Sequence, residues 1–326
     1  MPNNFSSDAQ LRVNDPVITT IIQGYTSSEA IAGFLAPVVT VPTRAGKVIR
    51  FGKENFAVMD LRRSPGGNIK RVSPSFDVDS FFIRQHAIGS EVPREVYEEA
   101  VNGAARVDLR SLAAIRTAAT LQQSWEADVI ENIYNSSAYE AANLVAVAGA
   151  VADYDNLIAD AQELIRRQIG RYANSAVIGS DVFRFIKRNS VYRDRIKYTS
   201  SASVNLDMIA AWWGLDRGVK AATRQKLDVS TGTLTDMVPA GSILLFYNPE
   251  GAVSDGFMAA DQADKAQAAF AYTYQLEGYP IAEQERFDED RKVFVTDLIA
   301  EQAIQLVGMG ETGKVGAGVL ITGITS

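Results

Sequence analysis

The stretch Gly308-Met309-Gly310-Glu311-Thr312-Gly313-Lys314 has the spacing of G-x-G-x-x-G and of the G-x-x-x-x-G-K part of a phosphate-binding loop. Either loop works because the helix that follows it turns backbone amides and a positive dipole end toward the phosphate. Here Val315-Gly316-Ala317-Gly318 follows, a poor helix sequence, and Val315 stands where a Ser or Thr would hold magnesium. A flexible turn is the expected structure.

Little other chemistry is open to this chain. It has no cysteine, which removes disulfides, thiolate zinc sites and cysteine nucleophiles. Its one histidine, His86, excludes a metal site built on two imidazoles and leaves a single candidate base for a serine triad. No activated nucleophile is apparent beside it, so a packing role is expected. Trp212-Trp213 and the tyrosines between Tyr272 and Tyr279 could stack a base or sugar, but aromatics on regular elements more often pack a core or an interface.

The densest acidic run is Glu283, Glu285, Asp288, Glu289 and Asp290, with Arg286, Arg291 and Lys292 interleaved. It lacks EF-hand spacing, so a solvated or salt-bridged face is expected rather than a cation site. A complementary basic group, Arg62, Arg63, Lys70 and Arg71, flanks the turn-rich Ser64-Pro65-Gly66-Gly67-Asn68. Opposite clusters on an extended ribbon and a separate domain suit a subunit contact. These nine residues are the expected interface; no catalytic, cofactor-binding or metal-ligating residue is assigned.

The elements that must carry these residues follow from composition and periodicity. With 326 residues, 47% hydrophobic and 22% charged, the chain is long enough for about two domains. It has 32 basic against 39 acidic residues, net −7, which argues against tight binding to nucleic acid through phosphates. Met1 to Thr20 lacks the pattern of a signal peptide, and the apolar stretches Ala30–Thr43 and Asn143–Ala152 fall short of the ~20 residues a membrane span needs.

Residues 1–45 read as an arm with no clear amphipathic period, its apolar middle seeking a surface that other subunits are expected to supply. Residues 47–84 read as a long β-hairpin: Lys47 to Leu61 runs out, and Val72, Phe76, Val78 and Phe82 share one face of the return. At ~3.3 Å per residue such a ribbon reaches ~45 Å, and two strands alone are marginal in water, so its apolar face must be covered. Residues 108–134 carry the strongest helix pattern, with Leu109, Leu112, Ile115, Leu121, Trp125, Val129 and Ile133 at three- and four-residue spacings and no Pro or Gly, a strut of ~40 Å.

Residues 155–250 alternate helix and strand. A helix over 157–169 stops at Gly170; strand Ser175–Gly179, a helix from Ser180 or Asp181 to Lys187, a helix over Asn205–Trp213 and a buried-type strand Ser242–Tyr247 follow. Residues 268–326 return to strands, Ala271–Glu277 and Lys292–Ile299 around the turn Gly278-Tyr279-Pro280, and end on a glycine-rich apolar segment.

This order of parts resembles a tailed-bacteriophage major capsid protein of the Hong Kong 97 type. Ile31-Ala32-Gly33-Phe34-Leu35-Ala36-Pro37 with Gly46-Lys47-Val48-Ile49-Arg50-Phe51 is similar to the passage from arm to hairpin in one branch of that family. Ala173-Asn174-Ser175-Ala176-Val177-Ile178-Gly179 resembles its inserted domain. Ala269-Phe270-Ala271-Tyr272-Thr273-Tyr274 with Gly278-Tyr279-Pro280 resembles the return from it. The likeness covers nearly the whole chain.

The resemblance implies an α+β fold with an N-terminal arm (1–46), an extended loop (47–92), a discontinuous peripheral domain with a spine helix (93–152 and 268–326) and an inserted axial α/β domain (153–267). It implies a structural protein without cofactors, assembling with itself into hexamers and pentamers of an icosahedral head around double-stranded DNA. Scaffolding, portal and decoration proteins and non-specific DNA contact are the partners it implies; a membrane is not. The subunit would be built in the host cytoplasm and reside in the virion. With about 45 residues ahead of the hairpin, a separate scaffolding protein is expected. Lys53 and Lys70 lie on the hairpin, but no partner asparagine matches, so crosslinking of subunits is not expected. Two other readings stay open: an encapsulin-like compartment shell, and, in a different class, a small nucleotide-binding enzyme using the Gly308–Lys314 loop.

Overall fold

The computed structural model describes residues 16–24, 27, 29–51, 58, 60, 62, 76–102, 109–197, 203–249, 269–308 and 314–325. In chain order these begin with α1 (Pro16–Gly24), α2 (Ala32–Leu35), β1 (Val38–Val41), β2 (Ala45–Phe51), β3 (Phe76–Phe82), β4 (Arg84–Pro93), α3 (Arg94–Asn102) and α4 (Leu109–Ile133). The middle holds β5 (Leu144–Ala150), α5 (Tyr154–Ile169), β6 (Ser175–Gly179), α6 (Ser180–Arg188), α7 (Ser190–Ile196), α8 (Leu206–Trp213), β7 (Gly218–Ala222), β8 (Gln225–Asp228), β9 (Thr233–Asp236) and β10 (Ile243–Phe246). The last five are β11 (Ala271–Leu276), β12 (Ile281–Ala282), β13 (Arg286–Asp288), β14 (Val293–Leu306) and β15 (Gly318–Thr325). Among the described residues no helix is long and apolar enough to cross a membrane.

The chain divides into two compact units. The first comprises Met1–Gly46, Phe81–Glu131 and Thr273–Gln305. Its sheet is built around β14, which pairs antiparallel with β4 over Val293–Gln302 and with β12 and β13. Strand β11 joins it, and β1 pairs parallel with β11 from Val38↔Thr273 to Val41↔Leu276.

This pairing corrects the expectation that other subunits hold the arm. From Pro16 onward the described arm lies on its own unit: Thr19 Oγ1 accepts from the Ala282 N–H at 3.1 Å, Gln23 Nε2 donates to the Pro280 carbonyl at 3.2 Å, and the Pro37 carbonyl accepts from the Thr273 N–H at 2.9 Å. Ile31, Ala32, Leu35 and Ala36 are buried. The apolar middle of the arm found its surface in strands more than two hundred residues away, a pairing that local periodicity does not encode.

The helix α4 appears where the stripe predicts it, yet the buried face is rotated from that stripe. Ala114, Ala118, Glu126, Val129 and Ile130 are buried, whereas Leu112 and Ile115 remain 41% and 38% exposed. Small alanines let the sheet approach this helix closely, so the larger residues face outward.

The second unit comprises Lys47–Ser80, Asn132–Tyr272 and Leu306–Ser326. Its five-stranded sheet has the order β5-β15-β10-β6-β7. Strand β15 lies between β5, to which it runs parallel, and β10, to which it runs antiparallel. Strands β6, β10 and the first half of β15 are buried throughout, as apolar runs covered on both faces should be. Helix α5 starts on Asp153, whose carboxylate accepts from the Asp155 and Asn156 N–H groups, and ends at Gly170 with φ 69°. The wholly buried Asn143 donates to the Gly316 and Gly318 carbonyls at 3.2 and 2.7 Å and exchanges two hydrogen bonds with Gln168, which fixes the chain leading into β15.

The expected domain boundaries change accordingly. Residues 132–152 and 306–326 belong with the α/β sheet, because β5 and β15 complete it, and not with the spine-helix domain. Likewise β4, within the expected loop 47–92, is a sheet strand of the first unit. Strands β2 and β3 pair only with each other, as a separate two-stranded sheet, and the tip of that ribbon lies mostly outside the described residues.

Candidate subunit interface

The acidic run sits on the β13–β14 hairpin, registered Arg286↔Val295, Phe287↔Phe294 and Asp288↔Val293. The rings of Phe287 and Phe294 lie 5.1 Å apart, and Tyr97 meets Phe294 edge-on at 5.5 Å. The Arg110 guanidinium lies 4.9 Å from the Tyr97 ring and 5.3 Å from that of Phe294, and donates to Glu285 at 2.6 Å. Glu285 is therefore engaged within its own chain. Asp288 is too: its Oδ1 accepts from the Asp290 and Arg291 N–H groups and shapes the turn.

The interleaved cations are also used locally, Arg286 on Asp297 at 3.0 Å and Arg291 on Glu91. Of the five acids, Glu283 is half-buried, while Glu289 and Asp290 are exposed at the turn. The expected five-residue interface narrows to these last two. Arg110, the residue that removes Glu285 from it, is 175 positions away and gives no local signal.

On the basic side, only Arg62 lies within the described residues. It is exposed, and its N–H donates to Asp60 at 3.0 Å. Arg63, Lys70 and Arg71 lie outside them, as does Lys53. The structure thus does not bring the two clusters together.

Among the other candidates, His86 is half-buried, edge-on to Trp125 at 5.7 Å, with Nδ1 4.0 Å from Asp128 Oδ2. That is the packing role expected of it. Trp213 Nε1 donates to the Tyr192 hydroxyl at 3.0 Å, which donates to Asp155 at 2.6 Å. Burial pushes the Tyr192 phenol well above its ordinary range. A cavity of about 780 Å³ lies beside Trp213. Two of its polar linings are already spent on backbone, Gln162 on the Trp213 carbonyl and Asn174 on that of Asn248.

The glycine-rich loop is not a phosphate loop. Gly308 is buried and bonded to Ala269, Val315 is buried with its N–H on the Ala138 carbonyl, and the segment continues as strand β15. Positions 309–313 lie outside the described residues, but the helix whose N-terminus would hold a phosphate is replaced by a strand. The nucleotide-enzyme reading loses its only motif.

No family model matches the chain. A curated major capsid protein of Burkholderia phage BcepMu is 31% identical over 208 residues, 62% of this chain and 66% of the relative, so the match spans just under two thirds of that relative's length. The crystal structure of a phage-related protein from Bordetella bronchiseptica RB50 shares the fold with a TM-score of 0.73 and 26% identity, over 96% of this chain and 97% of that one. The capsid of Cyanophage P-SCSP1u shares it at 0.58 and 10% identity, over 93% and 92%. By sequence and by fold, the chain is a homologue of bacteriophage major capsid proteins, a structural family and not an enzymatic one.

Proposed function

We propose that this chain is the shell subunit of a tailed phage, assembling with itself into hexamers and pentamers of an icosahedral head around double-stranded DNA. In this reading its fold is of the Hong Kong 97 type. The α4 unit serves as the peripheral domain with its spine helix, and the β5–β15–β10–β6–β7 unit as the axial domain. The β2–β3 ribbon is the extended loop. Scaffolding and portal proteins are the partners such a head needs, and decoration proteins are compatible with it.

The observation that carries the reading is apolar surface that the subunit leaves open. Phe82, on the expected apolar face of the ribbon, is 71% exposed, and Val58 is fully exposed. Leu112 and Ile115 stand outward from the spine helix. Such surface calls for another copy.

A ribbon tip with Arg62, Arg63, Lys70 and Arg71 docking on Glu289 and Asp290 of a neighbour would add a repeated contact. Each exposed pair is worth only ~0.2–1 kcal/mol, but a closed shell multiplies it.

Negative-stain microscopy of the purified protein tests the reading. Closed shells or capsomer rings are expected, with nucleic acid inside particles from infected cells. A protein cargo in its place would mark a compartment shell, and uniform small particles would overturn the proposal. Arg62→Glu with Arg63→Glu should impair closure, most at low salt, and Glu289→Lys with Asp290→Lys in the same chain should restore it in part. No restoration would end the proposed pairing.

A further inference from the structure

Helices α6 and α7 are joined through the single residue Asn189, whose backbone N–H closes α6 on Phe185 and Ile186 and whose side chain accepts from the Val191 N–H at 2.9 Å to start α7. Val182, Ile186 and Tyr192 anchor the pair from beneath and are buried. Residues 180–197 carry six Lys or Arg and two Asp, a local +4. The chain as a whole is −7, so everything else amounts to −11. This is a basic platform on an acidic protein.

Arg184, Lys187 and Arg188 stand at i, i+3 and i+4, on one helix face opposite Val182 and Ile186. All three are exposed, as is Arg193, and none of the four has an ion pair among the described residues. Lys187 lies 4.1 Å from the Phe183 ring centroid and Arg184 5.3 Å from that of Phe185, so both cations are steadied by half-buried rings, not neutralised by carboxylates. Cations in a last helical turn answer the helix dipole, which accounts for Lys187 and Arg188. It does not account for Arg184, a like charge four residues before Arg188 that weakens an isolated helix.

We infer that the α6–α7 face binds the phosphate backbone of double-stranded DNA, without sequence preference. Arginine suits phosphate through its planar fork. An interface with another protein ordinarily has an apolar centre, and on this face only Val191 offers exposed apolar bulk, at 42%. Few contacts on an otherwise acidic subunit make each grip weak, which suits a container that must also release its contents. The inference rests on the capsid reading and names the part of the shell subunit that meets DNA.

The test titrates the full-length chain with a short mixed-sequence DNA duplex by fluorescence anisotropy between about 50 and 200 mM salt. The triple variant Arg184→Gln, Lys187→Gln, Arg188→Gln should lower the slope of log K against log salt by about 3, and affinity at the low-salt end on the order of a hundredfold. A control with three exposed cations removed elsewhere, Arg116→Gln, Lys226→Gln and Lys314→Gln, should keep the wild-type slope.

Equal losses in both triples, or no duplex binding by the wild type, overturn the inference. So does a platform variant that keeps DNA affinity but no longer closes shells, since the face would then meet a neighbouring protein. Shell formation by wild type and variant is scored separately by microscopy, so failure of the capsid reading is seen independently of the duplex result.

Discussion

The carboxylate of Glu126 accepts a hydrogen bond at 2.7 Å from the backbone N–H of Ile31, and both residues are buried. The contact ties the arm to the spine helix at the residue where α2 begins, supplying an acceptor for an N–H the short helix cannot satisfy. It makes residues 31–41 part of the subunit's own core.

Glu126→Ala should therefore leave a buried N–H without a partner and cost roughly 1–3 kcal/mol, whereas Glu126→Gln keeps an acceptor and should cost less. Urea midpoints of the two variants give the difference. Limited proteolysis should show new cutting between residues 24 and 41 in the alanine variant. Equal midpoints would mean the arm is held by β1 alone.

Arg44, just before the ribbon, donates through Nε and Nη2 to both oxygens of Glu301 at 2.7 Å. The arginine is 47% exposed and the glutamate 1%. Removing the arginine strands a buried charge, and removing the glutamate frees a cation that water can reach. Arg44→Ala should thus cost roughly 3 kcal/mol and Glu301→Gln less, with Arg44→Lys intermediate because the fork is lost. Chemical denaturation would refute this if the order were reversed.

Gly232 and Gly241 share a φ of 67°, but their surroundings differ. A Cβ at Gly232 would meet nothing within 4 Å, while at Gly241 it would stand 2.4 Å from the carbonyl oxygen of Ile324 in β15. Gly232→Ala should cost only the ~1–2 kcal/mol of a left-handed backbone. Gly241→Ala should cost clearly more, because backbone must move. Thermal melts of the pair would separate conformational strain from crowding.

Acid should weaken the second unit through Glu163. Side-chain hydrogen bonds from Arg166 and Arg167 hold its carboxyl well below the usual value of 4.5, down to about 2. With the folded value depressed, the contribution is complete above pH 4.5 and fades as pH falls toward 2. Glu163→Gln should lower the melting temperature at neutral pH but flatten its fall over that window. A parallel fall in both proteins would show that the carboxylate is not involved.

Several elements were legible because their information is local. The alanine- and leucine-rich run without Pro or Gly gives α4, Asp153 and Gly170 bracket α5, and the five apolar residues of β6 can only be a buried strand. What stayed hidden depends on distant partners. Nothing near Val38–Val41 announces a parallel match to Thr273–Leu276, and the glycine-rich tail reads as a turn although it forms the middle of a sheet. Glu285 looked free because its partner, Arg110, lies on another element, and Leu112 and Ile115 were assigned to the wrong side of α4 because alanine gives a weaker periodic signal than leucine.

Strand β15 is the last of the second unit's strands to be synthesised, yet it occupies a place between β5 and β10. Until residues 318–325 have emerged from the ribosome, those two neighbours have unpaired edges and the unit cannot close. A polypeptide interrupted before that point therefore lacks a finished sheet and makes a poor recruit for any growing lattice. Placing the final strand in the interior acts as a completeness check during translation, admitting only chains made to full length.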